Sequence, residues 1–219
     1  MQNNSVILLK HPRTFIVYGP SRSGKTKWCE KLLFWMNEMF GFYFEQILYC
    51  SGEYFPDYDT VHGIKLLKVS SLNENIIRCL NSNNKNLIII DDNMNNVVND
   101  LLTSDLFTKI SHHKNITVIL LMQNLFPKGK YMRDISTNST YMILMANPRE
   151  TLQIQILSSQ IDGANSKFIL NCFNDATKNK PFSYLLLDFD QNTPDEMRVR
   201  TNIFPDEEPK FVYTKLPKV

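Results

Sequence analysis

The sequence predicts a three-layer α/β domain built on a mainly parallel sheet, on three observations. Short apolar runs bounded by turn residues alternate with segments of helical periodicity along most of the 219-residue chain. Those runs are apolar at successive positions, the pattern of strands covered on both faces. The stretch "FIVYGPSRSGKTKW", residues 15–28, joins one such run to a helical pattern through a glycine-bracketed loop.

The elements follow in order. "TFIVY" (14–18) reads as a buried strand, and residues 25–40 place Trp28, Leu32, Trp35, Met36 and Met39 at helical spacing. The two tryptophans belong to that apolar stripe and are expected in the core. "QILYC" (46–50) is a second strand, and the Gly, Pro and Asp content of "GEYFPDYD" marks a loop. A polar helix is predicted near 72–82, closed by "NSNNKN", whose asparagines favour turns. "LIIIDD" is the next strand. A helix near 97–110, the strand "ITVILLM" (116–122), the loop "QNLFPKGK", a short helix near 131–137 and the strand "YMILMA" (141–146) continue the alternation. Helices are predicted at 149–161 and 165–173, and "SYLLLDF" and "RVRTNIF" read as terminal strands. The expected division is one domain over 1–205 and an exposed C-terminal tail over 206–219.

Composition narrows the function classes. With 43% hydrophobic and 11% aromatic residues the chain has material for a sizeable core. No apolar run approaches the roughly 18 residues that span a bilayer, and the N-terminus lacks the layout of a signal peptide, so an intracellular protein without membrane contact is expected. Cys29, Cys50, Cys79 and Cys172 lie far apart without CxxC spacing, which suggests buried free thiols. His112 and His113 have no metal-ligand spacing and read as a solvated loop. A net charge of +2 is too small for a strongly basic nucleic-acid binder, so any DNA contact must come from local clustering.

The chemistry concentrates in Gly19-Pro20-Ser21-Arg22-Ser23-Gly24-Lys25-Thr26, which satisfies the P-loop pattern GxxxxGK[ST]. Glycines let the chain wrap closely on phosphate oxygens with N–H groups inward, while the following helix presents its positive dipole end. ATP with Mg²⁺ is the expected ligand: Lys25 for the β- and γ-phosphates, the Thr26 hydroxyl for the metal. Such a site needs an acid at a neighbouring strand tip, and "NLIIIDDN" supplies Asp91 for the metal and Asp92 to orient or deprotonate a water. "ITVILLM" delivers Gln123 at its C-terminal end, where it can sense γ-phosphate. Between Leu106 and Arg133 there is no Asp or Glu, yet Lys109, Lys114, Lys128, Lys130 and Arg133 occur. Lys128 and Lys130 flank Gly129 in a loop expected to be mobile and suited to a DNA backbone.

The segments "KHPRTFIVYGPSRSGKT", "LIIIDD", "HHKNITVILLMQNLFPKGKYMRDISTNSTYMILMANPRE" and "SYLLLDFDQNTPDEMRVRTNIFP" resemble, in order, the genome-packaging ATPases of Polinton-type elements, virophages and adeno-like viruses, within the FtsK/HerA superfamily. The resemblance spans roughly residues 10–205. It implies a RecA-type (ASCE) P-loop fold and a homo-oligomeric ring that hydrolyses ATP to drive double-stranded DNA into a preformed capsid, docked on a capsid vertex protein. The setting implied is the host cell at the site of virion assembly, or the virion itself. Residue by residue it gives Lys25 and Thr26 the P-loop roles, Asp91 the Walker B role and Gln123 the sensor role. Asp92 stands where the superfamily's cellular translocases usually carry glutamate. Rings of this kind insert an arginine into a neighbouring site, for which Arg133 and Arg149 qualify, with Arg22 able to act within its own subunit. Two other classes use the same loop: a small-molecule nucleotide kinase, and a DNA-binding or assembly protein that binds ATP as a regulator.

Overall fold

The strand tips that carry these residues are brought side by side by the order of a ten-stranded sheet. The computed structural model describes residues 8–52, 54–91, 97–147, 151–178 and 180–215. Along the chain the strands are β1 (Thr14–Tyr18), β2 (Gln46–Cys50), β3 (Thr60–Val61), β4 (Ile64–Val69), β5 (Asn86–Ile90), β6 (Ile116–Met122), β7 (Tyr141–Met145), β8 (Tyr184–Asp188), β9 (Val199–Thr201) and β10 (Phe211–Val212). Their spatial order is β10-β9-β8-β7-β1-β6-β5-β2-β4-β3. The stretch from β7 to β4 is parallel throughout, whereas β8, β9, β10 and β3 join antiparallel at its two sides.

Helices cover both faces. They are α1 (Lys25–Phe34), α2 (Met36–Phe40), α3 (Glu74–Cys79), α4 (Leu101–Asp105), α5 (Ser111–His113), α6 (Met132–Thr137), α7 (Leu152–Ile161) and α8 (Ser166–Thr177). Strand alternation divides the core between them. Phe15 and Val17 of β1 pack with Trp28, Leu32, Met36 and Met39, while Ile16 and Tyr18 face Phe107, Ile135, Ile154 and Phe173 on the other side. Full burial contributes about 1.5–3 kcal/mol per large apolar side chain. This is the predicted three-layer α/β class with a mainly parallel sheet.

Several local expectations change. The single helix predicted over 25–40 is two: α1 stops at Trp35, whose ψ of 21° leaves the helical range, and α2 ends at Gly41 in the left-handed region. Trp28 is buried as expected, but Trp35 is only half-buried. The hairpin β3–β4 lies where no strand was predicted, because Lys65 and Lys68 interrupt the apolar run of β4 and β3 is only two residues long. The helix predicted near 97–110 starts at Leu101, capped by Asp100 on the Leu102 and Thr103 amides, and passes through a π-helical turn, Leu106–Ile110, into α5. His112 and His113 therefore end a helix, exposed, and not in a loop. Three cysteines are buried, but Cys79 is exposed. Every residue of 206–215 is exposed or half-buried, yet β10 pairs with β9, and Lys31 holds Asp206 and Glu207 at 3.0 and 2.9 Å. Among the described residues no helix is long and apolar enough to cross a membrane.

Candidate nucleotide site

β1 ends at Tyr18, and the chain turns at once into the loop of residues 19–26. Gly19 donates its N–H to the Met122 carbonyl at 3.0 Å, which anchors the loop to the tip of β6. A Cβ on Gly19 would stand 2.5 Å from Ser23 Oγ and 2.7 Å from Met145 Cβ, so the sharp turn requires glycine. Arg22 and Gly24 both take positive φ, 65° and 100°, and α1 starts at the next residue, Lys25. Left-handed and helical residues in succession turn neighbouring N–H groups to one side, the arrangement that receives anions. The Ser23 hydroxyl is buried inside this loop without a hydrogen-bond partner. A concave loop with an unsatisfied polar atom fits a phosphate ligand.

Lys25 folds back over the loop, donating from Nζ to the Gly19 and Pro20 carbonyls at 2.8 and 3.0 Å. Burial lowers its pKa, and the neighbouring Asp91 works in the opposite direction. Asp91 extends from β5, its N–H on the Cys50 carbonyl at 2.8 Å. Its Oδ2 accepts from Thr26 Oγ1 at 3.4 Å and from the Tyr49 hydroxyl at 2.8 Å. Thr26 and Asp91 thus meet across two elements as hard oxygen donors suited to Mg²⁺, which is commonly held by one or two carboxylates together with substrate phosphates. The metal would supply charge neutralisation at the phosphates. Gln123 emerges from β6, the strand between β1 and β5, and its Oε1 accepts from Ser21 Oγ at 3.3 Å.

Tyr49 was not singled out from sequence. It precedes the last residue of a strand whose Cys50 pairs with Ile90, a register that places its hydroxyl on the acid. Burial, followed by the Asp91 charge and hydrogen bond, raises the phenol pKa strongly, so the group stays a donor.

The basic run between Leu106 and Arg133 does not form one patch. β6 separates it: Lys109, His112, His113 and Lys114 precede the strand, while Lys128, Lys130 and Arg133 follow it, ~20 Å away for a seven-residue strand. Lys109 is also paired with Asp105 at 3.0 Å. The loop carrying Lys128 and Lys130, predicted to be mobile, is tied to the segment that follows β5. Lys130 N donates to Asn99 Oδ1 at 2.9 Å, Tyr131 N donates to the Val98 carbonyl at 3.0 Å, and Gly129 packs on Val98 too closely for a side chain. Both lysine side chains are exposed, as is Arg133 on α6. Asp92 and Arg149 lie outside the described residues.

No protein-family model matches this chain, and no curated protein matches it. Solved structures do. The genome packaging NTPase B204 from Sulfolobus turreted icosahedral virus 2, in complex with ATP-gammaS, superimposes with a TM-score of 0.57 at 11% identity, over 86% of this chain and 95% of that one. Its AMP complex gives 0.51 at 12% identity, over 86% and 96%. B204 from Sulfolobus turreted icosahedral virus, described as a DNA-packaging ATPase, gives 0.52 at 11% identity, over 86% and 96%. At such identities the likeness is one of fold, and it accords with the sheet order and the loop: this chain has the fold of a P-loop NTPase.

Proposed function

We propose that the chain is an ATP-hydrolysing motor of the FtsK/HerA type that drives double-stranded DNA into a preformed viral or virus-like capsid, working as a homo-oligomeric ring. One observation carries the reading: the loop 19–26 with Lys25 and Thr26 at the start of α1 is bonded both to Asp91 at the tip of β5 and to Gln123 at the tip of β6. The fold shared with packaging NTPases of turreted icosahedral viruses supports it, as do the motifs that resemble Polinton-type and virophage packaging ATPases.

In this reading the loop 19–26 and Lys25 bind the phosphates of ATP, and Thr26 and Asp91 hold Mg²⁺. Asp92 takes the proton of the attacking water or orients it, and Asp92→Asn slows turnover by roughly 10²-fold while ATP still binds. Gln123 reports the γ-phosphate. Lys128 and Lys130 contact DNA phosphates without reading sequence, so replacing both with alanine lowers DNA affinity and flattens its salt dependence. Arg133, or else Arg149, reaches a neighbour's site; mixing Arg133→Ala with Lys25→Ala subunits then restores part of the activity that neither has alone. A capsid vertex protein is the docking partner, in the infected cell or on the virion.

The decisive experiment measures ATP turnover with and without double-stranded DNA alongside particle mass. DNA-stimulated turnover by a particle several times the 25.6 kDa chain mass is the expected result. Turnover indifferent to DNA, or a monomer under both conditions, overturns the motor.

A further inference from the structure

We propose that Phe182 is the platform on which the base of the bound nucleotide stacks; the inference rests on the nucleotide-site reading above. The topology gives the direction. Asp91 and Gln123 lie on the β5–β6 side of β1, so the metal and the terminal phosphates belong there. The nucleoside end of the ligand then leaves on the other side, toward β7. Because β8 runs antiparallel to β7, with Tyr184 opposite Met145, the turn that precedes β8 sits at the same end of the sheet as the loop 19–26.

That turn holds an aromatic side chain against the loop. Ser183 donates its N–H and its hydroxyl to the Lys180 carbonyl at 3.3 and 2.7 Å, which closes a four-residue turn with Pro181 and Phe182 at its centre. Phe182 has a φ of 63° at the position where such a turn ordinarily takes glycine or asparagine. A phenylalanine there is strained, and burial does not offset the strain, since the residue is 48% exposed. The ring instead lies on Gly24: a Cβ at that glycine would stand 2.7 Å from Phe182 Cδ1. Lys27, one residue past Thr26, places its ammonium 4.6 Å from the ring centroid. A strained, half-exposed ring and a cation thus flank the phosphate loop on the side away from the metal-binding carboxylate. An aromatic face beside a phosphate site suits a nucleobase, and stacking accepts any base because every base has a π-face.

The test compares ligands with and without a base. Equilibrium binding of ATP, GTP and inorganic tripolyphosphate, each with Mg²⁺, is measured by calorimetry on the full chain and on Phe182→Ala, Phe182→Leu, Phe182→Tyr and Lys25→Ala. Phe182→Ala and Phe182→Leu should each weaken ATP and GTP alike, on the order of tenfold, and leave tripolyphosphate unchanged, while Phe182→Tyr keeps parent affinity. Retained tripolyphosphate binding also shows that the variants are folded. Three results overturn the assignment: tripolyphosphate weakened as much as ATP, which makes the ring a prop for the loop; ATP unaffected by Phe182→Ala; or full ATP affinity in Phe182→Leu. Lys25→Ala should weaken all three ligands. A parent chain that binds none of them overturns the nucleotide site itself, and the platform with it.

Discussion

The two ends of the sheet hold charge in opposite ways. At the end away from the nucleotide loop, Asp190 is almost fully buried and pairs with Lys10 at 2.6 Å and Arg13 at 2.7 Å. Asp188 meets Arg200 at 2.7 Å and accepts from Thr193 Oγ1 at 3.1 Å. At the loop end, the Lys25 ammonium rests on two carbonyls and Asp91 takes two hydroxyls, so a cation and an anion at the same loop are each held by neutral groups. Burial opposes ionisation at both ends. At Asp190 it is outweighed by hydrogen bonds from Lys10 and Arg13, which hold the acid well below the usual carboxylate range, whereas at Lys25 it prevails. Charge that is internally satisfied ties elements together; charge held in reserve marks a place for a ligand.

That contrast is broken most directly by removing one charge from each end. On the proposed reading Lys25→Ala should abolish ATP hydrolysis, because it would delete the cation facing the charge that develops on the transferred phosphate. The urea unfolding midpoint should stay near that of the parent, since the ammonium bonds only its own loop. Turnover close to the parent rate would remove the P-loop assignment. Asp188→Ala should do the reverse. It leaves the buried Arg200 guanidinium without a counter-ion, which costs about 3–5 kcal/mol in unfolding free energy. ATP affinity of the folded fraction should be unchanged. A loss of stability below about 1 kcal/mol would show that the pair contributes little to the fold.

Tyr49→Phe sharpens the comparison on the loop side. The hydroxyl donates to Asp91, so it acts as a positioning residue for the acid. Its removal should raise the Mg²⁺ concentration needed for half-maximal turnover by about tenfold, within the 10–100-fold usual for such outer partners. Nucleotide binding without metal should not change. If that binding weakens equally, Tyr49 supports the loop as a whole.

Legibility from sequence followed local physics. The P-loop is contiguous, and its spacing alone places Lys25 and Thr26 at a helix start, as observed. The central parallel strands were visible because both faces are covered and the apolar runs are unbroken. The β3–β4 hairpin was not, since β4 carries lysines where the central strands carry isoleucine and leucine, and the edge strand β3 is only two residues long. Tyr49, Phe182 and the tether between Lys130 and Asn99 depend on register and on contacts across distant segments, for which no periodicity exists. The ion pairs around Asp188 and Asp190 were hidden for the same reason: Lys10 and Asp190 lie 180 residues apart.

The smallest expected effect distinguishes the two ends by acid. His11 precedes β1 on the ion-paired end, with Nδ1 2.7 Å from Thr117 Oγ1 and its ring edge-on to Phe42 and Phe44, each at 5.4 Å. Burial above all, opposed by a hydrogen bond with the Asn115 side chain and aided by the nearby positive charges of Lys85 and Arg13, lowers its pKa from 6.5 to about 4. Between those values the unfolded chain binds a proton that the folded chain refuses, so stability is complete above about 6.5 and falls as pH drops toward 4. The ring is only partly buried, and solvent screening reduces the loss to the order of 1 kcal/mol. Asp190, whose folded pKa is depressed, weakens the fold in a separate and more acidic window, below the ordinary carboxylate pKa. His11→Phe keeps the aromatic packing but has no proton to bind. Urea unfolding at stepped pH should therefore show the decline between 6.5 and 4 in the parent and its absence in His11→Phe, with ATP affinity at neutral pH equal in both. An identical decline in the two proteins would assign that acid sensitivity to another group, and lowered ATP affinity in His11→Phe would mean that the two ends of the sheet are coupled.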